Sequence, residues 1–255
     1  MKGLELAREF YNQFGKSMLE QDFKDILPFL AVGFVGSGSD RYGFDDDISK
    51  DHDYEAGFTI FLPNEDKVNR KQEFALERAY IKLPKEFLGI KRNVLSPVGG
   101  NRNGPLRTAD FYLGKVGNSK GELTVNEWLT IPDYALFEAT NGEVFFDGLG
   151  EFTKIRNYLS NMPEDIRLKR LAGNTLIMAQ SGQYNFSRMV NRGEKQGATL
   201  AINEFVIATL KVVFLLNRKY CPYYKWSFRA LKELKEKAIY EKLSYIVLTE
   251  NESEE

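Results

Sequence analysis

Residues 29–39 have the sequence FLAVGFVGSGS, an apolar run that passes directly into two Gly-Ser steps. The apolar part is too short for a helix and is bounded by glycine, so it predicts a buried strand. Glycine directly after a strand allows a tight turn in which backbone N–H groups come close to a ligand. We therefore expect a strand followed by a ligand-binding loop over Gly36, Ser37, Gly38 and Ser39.

An acidic pair, Asp51 and Asp53, follows this loop. Carboxylates at positions i and i+2 of a strand point to the same face, so both can bind the same hard divalent cations. Two such ions can activate an attacking oxygen and stabilise a leaving pyrophosphate. We predict that Asp51 and Asp53 are catalytic and hold Mg²⁺ or Mn²⁺, while the glycine loop holds the phosphates of a nucleoside triphosphate (NTP).

This arrangement resembles the nucleotidyltransferase superfamily, whose signature is Gly-Gly or Gly-Ser, a spacer of about nine to thirteen residues, and Asp-x-Asp or Asp-x-Glu. Ser37 and Ser39 leave spacers of 13 and 11 residues before Asp51, and both fit. Between residues 30 and 228 the chain is also similar to an uncharacterised bacterial family in which this core precedes a helical domain. The segments that carry the likeness are Gly38–Asp40, Gly43–Asp46, Asp51–Asp53, Phe58–Thr59, Phe145–Gly150 and Arg218–Trp226.

The resemblance implies an α+β fold: a mixed sheet with flanking helices, followed by an all-helical C-terminal bundle. The layout is similar to that of aminoglycoside and lincosamide nucleotidyltransferases. The implied reaction transfers a nucleoside monophosphate from an NTP to a hydroxyl of a small molecule or protein and releases pyrophosphate. The alternative is a non-catalytic nucleotide-binding or antitoxin-like interaction module that has lost a carboxylate.

Further site residues follow from the same likeness. Related enzymes often carry a third metal carboxylate, for which Asp110 is the nearest candidate and Asp147 the next. Antibiotic-modifying relatives take a base from the second domain, and Glu194 is the candidate here; a solvated loop is the other interpretation of its turn. Lys225, within the family signature, is expected to bind phosphate, although its aromatic surroundings are also typical of a helix-packing corner.

The acids Asp45, Asp46 and Asp47 are left outside the predicted site, because an acidic loop more often forms a solvated turn that caps the next element. His52 lies between the two metal carboxylates in the sequence. On a strand its side chain would point to the opposite face, so we expect it to make a structural hydrogen bond.

Hydrophobic periodicity predicts an α/β domain over residues 1–150 and an all-helical domain over 151–255, and the resemblance implies that the first is the nucleotidyltransferase core. Proline and glycine residues indicate several turns in the first domain, and its loop-rich part lies between residues 89 and 122. The predicted helices cover residues 4–27, 71–82, 110–116, 151–181, 196–218 and 226–243. The predicted strands cover residues 29–35, 58–62 and 143–147.

The composition narrows the class of protein. The chain has 255 residues, with 35 Lys and Arg against 36 Asp and Glu, so a basic nucleic-acid-binding surface is not expected. We find no run of about 18 apolar residues and therefore expect no membrane span. Cys221 and His52 are the sole residues of their types, which excludes an internal disulfide and a Cys/His zinc site. These features predict a cytoplasmic protein and leave a homodimer open.

Overall fold

The computed structural model describes residues 1–50, 54–92 and 103–249, in two compact units. The first unit comprises residues 1–123 and 138–160, and the second comprises residues 124–137 and 161–255. The chain therefore passes between the units three times, whereas the sequence predicted one boundary near 150. The first segment of the second unit, residues 124–137, consists of short helical segments. They have too few turns to show a clear periodicity in the sequence.

The first unit is built on a mixed four-stranded sheet, as the sequence predicted. The strands are β1 (Ala31–Phe34), β2 (Thr59–Leu62), β3 (Glu86–Phe87), β4 (Ile90–Lys91), β5 (Gly104–Arg107) and β6 (Glu143–Asp147). The sheet order is β5-β2-β1-β6, and β3 pairs with β4 as a separate hairpin. Strand β1 is antiparallel to both of its neighbours, while β2 and β5 are parallel. All four residues of β1 and of β2 are buried, as expected of central strands.

Helices make up most of the remaining chain, and together with the sheet they confirm the predicted α+β class. They are α1 (Gly3–Phe10), α2 (Lys16–Asp22), α3 (Ser39–Tyr42), α4 (Arg70–Lys82), α5 (Thr108–Val116), α6 (Val125–Thr130), α7 (Asp133–Thr140), α8 (Glu151–Ser160), α9 (Glu164–Met178), α10 (Ser187–Asn191), α11 (Lys195–Leu216), α12 (Tyr224–Leu231) and α13 (Lys237–Leu248). Two π-helical turns, Tyr11–Gly15 and Ala179–Phe186, join α1 to α2 and α9 to α10.

The core of the first unit is aromatic and centres on Phe58, which is fully buried. Its ring packs edge-on against Tyr11 and Tyr80, with centroid distances of 5.4 and 5.1 Å. Gly15, in the first π-helical turn, lies so close that a Cβ atom there would come within 2.3 Å of the Phe58 ring. Burying such a side chain contributes about 1.5–3 kcal/mol, so this cluster fixes α1 and α2 against the sheet.

The helix α11 belongs to the core of the second unit, where it packs against α9 and the second π-helical turn. Its mean hydropathy reaches 1.9 over 18 residues, so by length and composition it could cross a membrane, contrary to the sequence-based expectation. Within that window, 44% of the residues are buried, and α11 contributes eight buried residues in all. The core helix of a globular unit passes the same test, and the described chain folds as two such units.

Three predicted helices differ from the structure. The helix expected over 151–181 is interrupted before Glu164, since Pro163 occupies the N-cap and cannot continue the preceding ladder. The helix expected over 226–243 is two helices, α12 and α13. The helix expected over 4–27 ends at Asp22, and Pro28 lies in a short 3₁₀ turn before β1.

Candidate functional site

The loop after β1 is fixed at its first glycine. Gly36 and Gly38 have φ angles of 108° and 124°, a region that residues with a Cβ atom rarely adopt. The buried Asn141 amide accepts a hydrogen bond from the Gly36 N–H at 2.8 Å and donates one to the Gly36 carbonyl at 2.7 Å. Arg156 donates to the Asn141 carbonyl at 2.6 Å. The loop is therefore held in one backbone path before it reaches Ser37.

Two backbone N–H groups of the loop remain for a ligand. The carbonyls of Gly38 and Ser39 accept hydrogen bonds from the Tyr42 and Phe44 N–H groups at 3.0 and 2.8 Å, which closes the short helix α3. The N–H groups of Gly38 and Ser39, and the Ser39 hydroxyl, have no hydrogen-bond partner within the ranges that the structure describes. Unpaired N–H groups in a glycine-rich loop are the donors that bind phosphate groups in proteins.

A lysine from α5 lies beside the loop. The Lys115 ammonium donates to the Ser37 hydroxyl and to Glu138 Oε2, the latter at 2.6 Å. Ser37 donates to the same carboxylate at 2.6 Å, and the Tyr42 hydroxyl donates to Glu138 Oε1 at 2.5 Å. Burial alone would raise the pKa of the Glu138 carboxyl, but the hydrogen bonds from Lys115, Ser37 and Tyr42 outweigh it and leave that pKa lowered. An ammonium has three donors, so Lys115 retains one for a further acceptor.

A buried arginine links the residues around the end of β1. The Arg41 side chain is 3% exposed, and its guanidinium lies 4.1 Å from the centroid of the Phe34 ring. It donates to Asn103 Oδ1 at 2.9 Å, and the Asn103 amide donates to Glu55 Oε1 at 2.6 Å. Residues from three separate parts of the sequence are therefore linked at the end of β1.

The strand register defines which chain segments meet the loop. Gly33 pairs with Thr59, and Thr59 pairs with Gly104, so the end of β1 and the beginnings of β2 and β5 lie at one edge of the sheet. We call this the loop edge. Asp51 and Asp53 lie outside the described residues, as does His52 between them. The nearest described acid after them, Glu55, lies at the loop edge through its hydrogen bond with Asn103.

The two candidates for a third metal carboxylate lie away from the loop edge. Asp110 is exposed in the first turn of α5, which begins where β5 ends, at the opposite edge of the sheet. Asp147 pairs with Ala31 at that same opposite edge. Its carboxylate accepts hydrogen bonds from the N–H groups of Gly150 and Thr153 at 2.9 and 2.7 Å, so it caps the start of α8.

Two residues of the acidic run Asp45–Asp47, namely Asp45 and Asp46, make structural hydrogen bonds. Asp45 is 2% exposed and accepts a hydrogen bond from the Gly3 N–H at 2.9 Å, which ties α1 to this loop. Asp46 accepts from the Ser49 N–H at 3.1 Å and caps the following 3₁₀ turn. Capping was the sequence-based interpretation, but Asp45 caps a distant helix and is buried rather than solvated.

Glu194 and Lys225 both belong to the second unit and are exposed. Glu194 precedes α11, and its carbonyl accepts from the Ala198 N–H at 3.0 Å in the first helical turn. The Lys225 ammonium lies 5.1 Å from the centroid of the Trp226 ring. Their predicted roles as base and phosphate ligand stay predictions.

Sequence reasoning missed the residues that surround Ser37. Lys115 and Glu138 lie 78 and 101 positions from Ser37 in the chain, and Asn141 lies 105 positions from Gly36. The sequence places Lys115 only within the predicted helix 110–116 and assigns no role to Glu138 or Asn141. A signal for their contact with the loop would require the sheet topology, which a single sequence does not contain.

Comparison of the chain with known proteins gives one match, to a family model. Residues 128–227 match the model of a family described as a domain of unknown function, DUF4037. The match spans less than half of the chain and lies mainly in the second unit. No curated protein and no solved structure matches the chain. The chain is thus similar to this family over a limited region, and the similarity assigns no chemistry.

Proposed function

We propose that the first unit binds the phosphates of an NTP at the loop edge and that the protein is a metal-dependent nucleotidyltransferase. The observation that carries the proposal is the pair of unpaired N–H groups at Gly38 and Ser39 beside the Lys115 ammonium. Phosphate oxygens need such donors and a compensating positive charge. The Asp51-x-Asp53 spacing in the sequence supports the transferase part of the proposal.

The reaction joins an acceptor hydroxyl oxygen to the α-phosphorus and breaks the bond between that phosphorus and the oxygen of the departing pyrophosphate. The hydroxyl proton passes to a base, for which Glu194 remains the candidate from the sequence. Gly38, Ser39 and Lys115 would hold the departing phosphates and offset their negative charge. Such transfer depends mainly on positioning and charge neutralisation, which a fixed loop favours.

The proposed metal ligands are Asp51 and Asp53. Among the described residues, no group of three His, Cys, Asp or Glu side chains is arranged to hold a metal ion. Carboxylate oxygens are the donors that Mg²⁺ prefers, and the segment before β2 leads to the loop edge, so the donor chemistry fits Mg²⁺ or Mn²⁺. The bound ion would supply the charge that polarises the phosphate oxygens. We place the reaction in the cytoplasm because of the composition of the chain.

The test measures pyrophosphate release from each of the four NTPs with Mg²⁺ or Mn²⁺, over a pool of small-molecule and protein acceptors. We expect Asp53→Asn to lower release at least about a hundredfold, since it removes a metal ligand without changing size. Asp66→Asn, on an exposed turn of the same unit, is the matched control. Asp110→Asn should resemble that control, because Asp110 lies at the opposite edge of the sheet.

Equal release from the wild-type protein and Asp53→Asn would contradict the transferase proposal. A second candidate function, a non-catalytic nucleotide-binding module, is favoured by the position of Asp110 and Asp147 away from the loop edge. It predicts saturable NTP binding without pyrophosphate release. Absence of both binding and release would contradict both functions.

A further inference from the structure

The second unit contains a cavity of about 640 Å³. It is lined by residues of α6, α7, α9, α11 and α12 together with the loops beside them. Its volume lies within the range of small-molecule sites, about 300–1,000 Å³. Every residue that lines it falls within the segment 128–227, the segment that matches the family model.

The charges around this cavity are predominantly positive. Lys169, Arg170 and Lys211 line it, whereas Asp133 is the one carboxylate among its lining residues. Arg170 is committed to the protein, because it donates to Asp133 Oδ1 at 2.9 Å and to the Trp128 carbonyl at 3.1 Å. Arg170 therefore holds the buried Asp133 carboxylate, and Lys211 also acts on that carboxylate through its charge, so three cations outnumber the single acid around the cavity.

Lys211 is the more informative of the two lysines. It lies on the apolar helix α11 and is half-buried. Its ammonium has no hydrogen-bond or ion-pair partner within 4 Å in the part of the chain that the structure describes, and Asp133, the acid on which its charge acts, is already hydrogen-bonded to Arg170. An ammonium that makes no hydrogen bond has its donors available for an anion that enters the cavity.

Aromatic rings form another part of the lining. Tyr134, Tyr223 and Tyr224 are 43%, 42% and 75% exposed, unusually open for three neighbouring rings. Tyr223 lies edge-on to Tyr134 at 5.8 Å and is tilted against Tyr224 at 4.5 Å between centroids. Open tyrosine rings provide flat apolar faces on which a planar molecule can stack.

We propose that this cavity binds a small planar molecule that carries a phosphate or carboxylate group, with Lys211 as the anion ligand and the tyrosines as the apolar wall. The three observations are independent: the cavity volume, the unpaired half-buried lysine, and the exposed rings. The proposal does not depend on nucleotide transfer in the first unit.

The experiment titrates the whole protein with phenyl phosphate and with benzoate and follows binding by the chemical shifts of the protein's own amide signals, which report every probe alike. Fragments of this size bind at about millimolar concentration, so the titration extends to about 10 mM. Benzylamine, of the same shape and opposite charge, and inorganic phosphate, without a ring, are the comparison probes. Lys211→Met removes the charge, and Lys219→Met, at an exposed position just after α11, is the matched control.

We expect at least one of the two anionic aromatic probes to bind more tightly than benzylamine and than inorganic phosphate. Lys211→Met should weaken that binding about fivefold or more, and Lys219→Met should change it less than about twofold. A preference for phenyl phosphate or for benzoate identifies the anion. Binding that is unaffected by Lys211→Met, equal affinity for benzylamine, or no binding of either anion overturns the proposal. The melting temperature of each variant shows that it is folded.

Discussion

Lys115 in the first unit and Lys211 in the second are both partly buried, yet their surroundings differ. Lys115 has a side-chain exposure of 21% and donates to Ser37 and Glu138. Lys211 faces a cavity and has no such partner among the described residues. Lys115 therefore donates hydrogen bonds in the folded state before any ligand arrives, while the Lys211 ammonium keeps its donors available for a ligand.

This difference separates two ways of building an anion site. At the loop edge, hydrogen bonds fix the geometry in advance, and binding adds one acceptor to a network that is already formed. In the second unit, the Lys211 ammonium makes no hydrogen bond in the described chain, and the affinity comes from the bonds that a ligand adds. Substitution of Lys115 should therefore cost more stability than substitution of Lys211.

The largest effect on folding is expected for Lys115→Met. It leaves the Glu138 carboxylate, 13% exposed, with hydroxyl donors but no cation. We expect the free energy of unfolding to fall by about 1–3 kcal/mol. Urea denaturation at neutral pH measures the change, and ATP titration of the same variant should show a weaker affinity, because one phosphate ligand is lost.

Lys211→Met is the matched comparison for this prediction. Its free energy of unfolding should fall by less than about 0.5 kcal/mol, since Lys211 makes no hydrogen bond in the described chain and Asp133 keeps its bond to Arg170. Equal destabilisation by the two substitutions would contradict the distinction between a paired and an unpaired lysine.

The fold was predictable where local sequence decides it. The apolar run before Gly36 and the stretch at 143–147 gave strands within a few residues of β1 and β6. The helices over 125–130 and 133–140 were missed, since each is short and is stabilised by segments distant in the sequence, as α6 is by α9. Pro163 was the available signal for the break between α8 and α9, and the long apolar periodicity concealed it.

The site was predictable only in its contiguous part. A glycine turn after a strand is visible in a sequence because φ angles above zero require glycine, as at Gly36 and Gly38. Glu138 and Asn141 reach the loop because β6 pairs beside β1, and that pairing is a long-range property. The cavity around Lys211 has no sequence motif, since it is formed by residues from five helices.

The pH dependence of stability sharpens the description of the loop edge. The pKa of Glu138 is lowered from its ordinary value of 4.5, so its ionised form is the one that the fold stabilises. Its contribution is fully present above the unfolded-state pKa and is lost as the pH falls below about 4.5 through the folded-state pKa. Glu138→Gln should therefore destabilise the protein by about 1–2 kcal/mol at neutral pH, and progressively less in acid.

The measurement compares the wild-type protein and Glu138→Gln by urea denaturation between pH 7 and pH 3. A salt concentration of about 0.5 M screens exposed pairs such as Glu164 with Arg218. The substitution Glu164→Gln, which breaks that pair, serves as the control. A difference between wild type and Glu138→Gln that stays constant across this range would contradict the lowered pKa of Glu138.

The smallest effects are expected for Lys225→Met. Lys225 is exposed and is not among the residues that line the cavity, so phenyl phosphate binding should change by less than about twofold. Its loss of a contact with the Trp226 ring should alter the free energy of unfolding by less than about 0.5 kcal/mol.

The role that the sequence predicts for Lys225 implies a different response to a nucleotide. ATP affinity should fall about two- to fivefold in Lys225→Met, as expected for an exposed charge beside a phosphate. Unchanged ATP affinity would leave Lys225 as a surface residue, and weaker phenyl phosphate binding would extend the second-unit site beyond Lys211.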